Sequence, residues 1–532
     1  MGFLSPLVSV SDIALIGVSG VLIYALLLSI YRVFLHPLAK YPGPLRYKLS
    51  GWPLLWQAYK GNRHIWHLQD HERYGPVVRI APNTLSFNTE SALSTIYGPR
   101  GANVKKGEWY KTFDIAAGAY SSFTETDRAK HAIKRRWMSP AFSAESIKAN
   151  ESLLTMIIER FCETIKPMGD TWGPKWNMTE MTTYLGFDIM GALVFGADFQ
   201  SVQEEESRHL ANSVIAATAF LYWVSYLPLA IIVRPLLRTK LFEVIGGKGI
   251  VDNNRLIDYA QDQVHSRKYK TESKEDLTDQ PRIDFLSRIA NANDRKSGWS
   301  PTSADLDTEA LNMINAGADP YSGVLAGAIF YLVHNEYALQ KATREVRSTF
   351  STTAEISNGP KLSSCEYLYA CIEEALRRTA GVPSHLPRVV LPGGINVDGN
   401  QLPEGTVVGV PAYALHHTPE YFPDPWAFRP ERWIESDDVS AESIAFSRKA
   451  FTPFSIGTRQ CSGRNLAYLQ LKLTLAHVLF RYDMRLAPDQ KGLGGGGPDM
   501  EEGRQRKDEF QMWDALGFVR DGPMVEFKTR TQ

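Results

Sequence analysis

Cysteine is scarce in this chain, with four in 532 residues. That excludes a disulfide scaffold, and no two cysteines form the C-x-x-C pair of a zinc ribbon or a thioredoxin-type site. Excess charge of either sign is also missing. Lys and Arg number 58 and so do Asp and Glu, for a formal net charge of +0. Neither a basic surplus for nucleic acid nor an acidic solvating tail exists, so no nucleic-acid partner is expected. No repeat period shows, and no phosphate-binding loop is written, although two glycine clusters imitate one. Gly492-Leu493-Gly494-Gly495-Gly496-Gly497 matches G-x-G-x-x-G, but Pro498 and an acidic run follow it, so it reads as a flexible loop. Gly246-Gly247-Lys248-Gly249 has no Ser or Thr after its lysine.

Hydrophobic residues make up 44% and charged residues 22%, enough apolar material for a large core and too much for global disorder. The length exceeds one small domain but suits a single large enzyme domain. Helical patterning dominates from about residue 140 to 380. Strand-like pieces cluster at 77–80, 84–87, 381–412 and 524–527. The expected fold is mostly α with small β-sheets.

Ile13 to Tyr31 is an uncharged run of 19 residues. At ~1.5 Å per residue it reaches roughly the thickness of one hydrocarbon core. A cleaved signal peptide is the competing reading, but its apolar stretch is shorter and its start is basic. Here Asp12 precedes the run, and Arg32, Lys40, Arg46 and Lys48 follow it. A retained transmembrane anchor with the body in the cytosol is therefore expected. The division is an anchor over 1–35, a proline-rich hinge over 36–50 (His36 to Pro44 carries three prolines) and a catalytic body over 51–532. A second uncharged run, Ala211 to Val233, passes a length rule for a membrane span. Pro228 interrupts it, and Tyr222, Trp223 and Tyr226 make it amphiphilic. A surface helix pair that dips into the bilayer or roofs an apolar pocket is the expectation.

The chemistry concentrates in Phe451 to Gly463. Cys461 sits in a glycine-rich bend near Arg459, just before a predicted helix from Arg464 to Leu479. Backbone N–H groups at a helix start and a nearby cation favour thiolate over thiol. Such a thiolate serves as a nucleophile or an axial metal ligand; a buried structural cysteine is the alternative. The spacing Phe454-x-x-Gly457-x-Arg459-x-Cys461-x-Gly463 resembles the haem-binding loop of the cytochrome P450 family. That resemblance implies that Cys461 is the proximal thiolate ligand of haem iron. It also implies that Gly457 and Gly463 let the loop approach the macrocycle closely.

Further segments resemble the family in the expected order. Glu374-Ala-Leu-Arg377 matches E-x-x-R, and Phe428 to Trp433 matches the later segment that bears Arg432. The resemblance implies a buried ion triad of Glu374, Arg377 and Arg432. Alone, E-x-x-R is usually a solvated pair, so its order relative to Cys461 carries the argument. His131-x-x-x-Arg135 stands where the family has W-x-x-x-R. Haem propionates require cations, and His131, Arg135, Arg388 and Arg459 are the candidates by family match. Lys134 and Arg136 are expected to face solvent or a redox partner. The wording of His36 to Pro44 and Tyr74 to Pro82 is most similar to microsomal members from filamentous fungi.

One segment departs from the pattern. The oxygen-side helix should read A/G-G-x-D/E-T-T/S, and Ala316-Gly317-Ala318-Asp319 matches. Pro320 and Tyr321 then replace both hydroxyl residues. In the family the first threonine hydroxyl helps deliver protons to bound oxygen. Pro320 offers no hydroxyl and no N–H, and it leaves the carbonyl of Ala316 without its helical donor. It preserves an oxygen groove by a covalent route, or it is a kink without chemical meaning. In one functional reading a substrate hydroxyl, a water or Ser322 takes over the threonine's part. In the other the reaction is a desaturation, a ring rearrangement or a reductase-independent isomerisation. Retention of Asp319 favours the first.

The resemblance thus implies a membrane-bound haem-thiolate monooxygenase in the endoplasmic reticulum, single-pass, with a cytosolic catalytic domain and haem b as cofactor. Electrons are expected from NADPH through NADPH-cytochrome P450 reductase, with cytochrome b5 as a further donor, because no flavin module is written here. The implied substrate is a lipophilic secondary-metabolite intermediate such as a terpenoid, polyketide or alkaloid. A non-catalytic haem-binding protein is the distant alternative, and the joint presence of Asp319, Glu374, Arg377, Arg432 and Cys461 argues against it.

Overall fold

The computed structural model describes residues 10–98, 102–113, 119–227, 239–272, 284–290 and 296–530. The chain begins with α1 (Val10–Ile30), an apolar helix with no polar face to set against a core. Ser11–Leu35 is long and apolar enough to cross a membrane, with a mean hydropathy of 2.5 and no burial against the body. Its far end is tied down. Arg79 donates to the carbonyl of Arg32 at 2.8 Å, and Arg32 donates to the carbonyl of Leu49 at 2.5 Å. The proline-rich segment, expected as a spacer, packs onto the body through buried Leu38, Tyr41 and Tyr47.

The strands are short: β1 (Val77–Ala81), β2 (Thr84–Phe87), β3 (Val104–Lys106), β4 (Lys175–Asn177), β5 (Arg388–Val390), β6 (Ile395–Val397), β7 (Asn400–Leu402), β8 (Val407–Gly409), β9 (Tyr482–Leu486), β10 (Trp513–Ala515), β11 (Gly517–Val519) and β12 (Met524–Thr529). One five-stranded sheet runs β1-β2-β8-β5-β3, and β4-β12-β9 form a three-stranded sheet. In the larger sheet Lys106 of β3 is the register partner of Arg388 of β5. Side chains directly opposite on one sheet face are neighbours, so this pairing places two cations side by side.

Helices carry the rest: α2 (Arg128–Met138), α3 (Met178–Phe195), α4 (Arg208–Val224), α5 (Ser303–His334), α6 (Glu366–Thr379) and α7 (Arg464–Arg481). The central one is α5, at 32 residues. Thr302 and Asp305 close a reciprocal capping box that satisfies its first free N–H groups. Both α5 and α3 are buried along most of their length because they pack on each other inside the main core. Gly317 permits that approach: a Cβ there would lie 2.4 Å from the Met190 methyl carbon. Within the second apolar run, α4 turns Ala211, Val214, Ala217, Leu221 and Tyr222 inward. The remainder of that run, 228–233, lies outside the described residues. The Gly492 to Gly497 stretch forms turns with no helix after it.

Candidate functional site

The Cys461 loop is shaped by its own backbone. The N–H of Cys461 donates to the carbonyl of Phe454 at 2.9 Å, which closes the bend. Gly457 has φ +73, and a Cβ there would lie 2.0 Å from the carbonyl oxygen of Tyr97, so only glycine fits. Phe454 packs its ring against Tyr468 of α7, with centroids 5.2 Å apart. Gly463 caps α7 and has ordinary space on the protein side, since a Cβ would meet nothing nearer than 3.9 Å.

Cys461 is accessible, yet protein mass around its sulfur pushes the thiol up. That combination belongs to a sulfur facing an internal cleft. Opposing the push are the N–H groups of Gly463 and Arg464 at the start of α7 and the charge of Arg135. The other cysteines, Cys162, Cys365 and Cys371, are buried. Burial pushes the Cys162 thiol up to about 12 and raises those of Cys365 and Cys371. Cys461 is thus the accessible sulfur with cationic and N–H support.

Beside the loop lies a cluster of cations. His131 of α2, Lys106 of β3, Arg388 of β5 and Arg459 converge there. Arg388 donates to the Tyr110 hydroxyl at 2.7 Å, Lys106 to the carbonyl of Phe123 at 2.5 Å and Arg459 to the carbonyl of Glu125 at 2.7 Å. Burial, then Arg459, Lys106, Arg135 and Arg388, hold His131 down at about 3. Burial and Arg388 lower Arg459 to about 10; burial, Arg388 and Arg459 take Lys106 well below its usual value. The Nη2 of Arg459 is buried with no hydrogen-bond partner among the described residues. None of these cations is in an ion pair with a carboxylate among the described residues. Buried like charges with an orphaned guanidinium nitrogen form a receptor for a dianion, and a haem with two propionates fits it. His131 supplies an N–H rather than a charge there until an anion offsets its neighbours. Arg135 also adjoins His131, and it reaches the loop, donating to the carbonyl of Gln460 at 2.9 Å and to the Ser462 hydroxyl.

Lys134 does not face solvent or a redox partner, contrary to what the resemblance implies. It is buried and paired with Asp305 at 2.6 Å, because α2 packs on the first turn of α5. Arg136 is exposed.

Glu374, Arg377 and Arg432 form a buried triad. Arg377 grips Glu374 with two bonds at 2.8 and 3.0 Å, and Arg432 joins at 3.1 Å. Burial pushes the Glu374 carboxyl up, but the two arginines outweigh it and hold it at about 2. The triad touches the Cys461 loop through His416. Its Nδ1 donates to the carbonyl of Arg377 at 3.0 Å, and its Nε2 accepts the N–H of Thr452 at 2.9 Å. Both bonds require one neutral tautomer, and burial accordingly holds this histidine at about 3.

On α5 the helix continues through Pro320 without a break. Asp319 is buried and paired with Arg520 at 2.7 Å. Ser322 is fully buried, donates to the carbonyl of Asp319 at 2.9 Å and accepts from Arg520 at 2.5 Å. It therefore points into the Arg520 network, on the opposite side from the accessible positions Ala316 and Pro320. The expectation that Ser322 replaces the missing hydroxyl fails on that orientation. Sequence reasoning also missed Lys106 and Arg520. For Lys106 the signal was faint: strand alternation buries it together with Val104. Arg520 lies in no motif.

Comparisons with known proteins point one way. The sequence profile described as Cytochrome P450 matches residues 42–493. The chain is 37% identical to the cytochrome P450 monooxygenase fscF of Fusarium equiseti, covering 96% of each. It is 32% identical to the cytochrome P450 monooxygenase atnE of Emericella nidulans (strain FGSC A4), again covering 96% of each. The crystal structure of the cytochrome P450DA heme domain superposes with a TM-score of 0.68 at 16% identity, covering 88% of this chain and 93% of that one, a likeness of fold.

Proposed function

The chain belongs to the cytochrome P450 family and is a monooxygenase, and on that premise we propose that it oxidises a lipophilic secondary-metabolite intermediate at the membrane of the endoplasmic reticulum. The observation that carries this is the accessible Cys461 beside a buried cluster of Lys106, His131, Arg388 and Arg459, none in an ion pair with a carboxylate among the described residues. Haem b, when bound, supplies the binding and activation of O2. Cys461 would hold it through its sulfur, where the Gly463 and Arg464 N–H groups favour negative charge. Lys106, Arg388, Arg459 and His131 orient the macrocycle through its carboxylates, while Arg135 fixes the loop. Glu374, Arg377 and Arg432 lock the loop's foundation through His416. Asp319, clamped by Arg520, is the carboxylate next to Pro320. Electrons come from NADPH through the reductase, with cytochrome b5 as a further donor. Residues 1–35 anchor the chain once, and the body over 51–532 lies in the cytosol.

With Ser322 turned away, a substrate hydroxyl or a water is left to act beside Pro320. Microsomes carrying the protein and a reductase, given NADPH, isotopically labelled O2 and a fungal metabolite extract, test the reading by mass spectrometry. A product carrying the heavy oxygen is expected. An unlabelled product that still needs NADPH and O2 would replace insertion by desaturation or rearrangement. Turnover without NADPH would replace it by isomerisation.

A further inference from the structure

Most of α5 is buried, but near its middle Asn312, Asn315, Ala316 and Pro320 stay accessible. These positions recur at i, i+3, i+4 and i+8 and so share one face. One turn before Asn312 lies fully buried Glu309. Its oxygens accept from the Ser122 N–H, from the Ser122 hydroxyl at 3.0 Å and from the Asn312 amide at 3.3 Å. Ser122 belongs to the same short segment as Phe123 and Glu125, whose carbonyls receive Lys106 and Arg459. The accessible face of α5 and the cation cluster are therefore joined through one short segment.

This face is rich in acceptors. The Oδ1 of Asn315 is buried with no hydrogen-bond partner among the described residues. Pro320 has no N–H, so the carbonyl of Ala316 has no donor four residues on. Asn312 spends its amide N–H on Glu309 and turns its carbonyl oxygen away from it. A polar atom shielded from water without a partner weakens the folded protein until one arrives. A hydrocarbon brings none. A cation suits the face poorly, because three donors already occupy Glu309 and burial raises its carboxyl to about 7. A hydroxyl both donates and accepts, so it serves either end of an asparagine amide and also a carbonyl.

We propose that the Asn312, Asn315 and Ala316 face of α5 is a specificity site for a hydroxyl group on an otherwise lipophilic substrate, with Glu309 as the positioning residue that sets Asn312. It rests on the reading of the chain as a haem-thiolate monooxygenase whose substrate enters the cleft under α5.

The test is equilibrium dialysis of the full-length, haem-loaded protein against cyclododecanol, cyclododecane and cyclododecyl-trimethylammonium, none of which ligates iron through nitrogen. The alcohol-to-hydrocarbon preference in the unmodified protein is expected to exceed that of Asn315→Leu by about three- to tenfold, the worth of one net hydrogen bond. Pro320→Ala, which returns an N–H donor to Ala316, should lower it as well. Equal preference in all three proteins overturns the proposal. So does a preference for the quaternary cation that Glu309→Gln abolishes. The thiolate–carbon monoxide absorbance band separates the two levels: its absence in the unmodified protein sinks the monooxygenase reading, while its presence with an unchanged preference sinks only the specificity site. Asn315→Ser replaces Asn315→Leu if the leucine variant lacks the band.

Discussion

Two influences compete at Cys461: burial favours the thiol, while helix-start N–H groups and Arg135 favour the thiolate. An iron ligand tips that balance, so Cys461→Ser should abolish the thiolate–carbon monoxide band while the protein still folds. A retained band would remove Cys461 from the axial position. Asp319 and Arg520 pose the opposite case, a buried pair with each charge holding the other. Arg520→Ala leaves a carboxylate without its partner, and breaking such a pair costs about 3–5 kcal/mol. A matching drop in the urea midpoint is expected. Little change would mean that Asp319 finds another partner. The candidate loop was legible from residue spacing alone, because its bend is closed within the loop, from the Cys461 N–H to the Phe454 carbonyl. The direction of Ser322 was not, because Arg520 arrives from 198 residues further along the chain.

Among the elements, α5 shows how packing overrides propensity. Proline inside a helix costs about 3 kcal/mol relative to alanine, yet α5 runs unbroken through Pro320. Packing of α3 along its flank, with Gly317 against Met190, offsets that cost. Pro320→Ala should therefore stabilise the protein by about 1–3 kcal/mol, read as a higher urea midpoint. A loss of stability would show that the helix depends on the proline's own geometry. The triad works across elements: α6 provides Glu374 and Arg377, a later turn provides Arg432, and His416 passes the constraint to the Cys461 loop. E-x-x-R spacing was readable, but its burial follows only from what packs around α6.

For the whole molecule, the seam between α1 and the body matters most. Leu38 and Tyr41 belong to a core cluster, and Arg79 holds Arg32. Removing residues up to 30 should release a folded protein from membranes, whereas removing residues up to 43 should lower its melting temperature. Sedimentation with membranes and thermal melts check both. The pH response is also collective. His67, His71, His131, His385, His416 and His417 are all lowered, chiefly by burial. Between about pH 6.5 and their depressed values the unfolded chain binds protons that the folded protein does not. Stability is therefore greatest above pH 6.5 and falls as pH drops through that window. Urea midpoints should decline steeply from pH 7 to pH 4; a flat profile would mean these rings protonate in place.

Contiguous pattern settled a good deal before any folding was considered. The apolar run made α1 recognisable, and the spacing around Cys461, with the order of the later segments, identified the family and hence the mostly helical fold. These signals are readable because each is written in contiguous residues or in the order of short segments along the chain. Convergence is different. Lys106 meets Arg388 only because β3 pairs with β5. Lys134 turns inward to Asp305 because α2 crosses α5. Ser322 is withdrawn because the C-terminal Arg520 reaches it. Such partners lie far apart along the chain, and only the packing of strands and helices decides which distant side chains share one dry space.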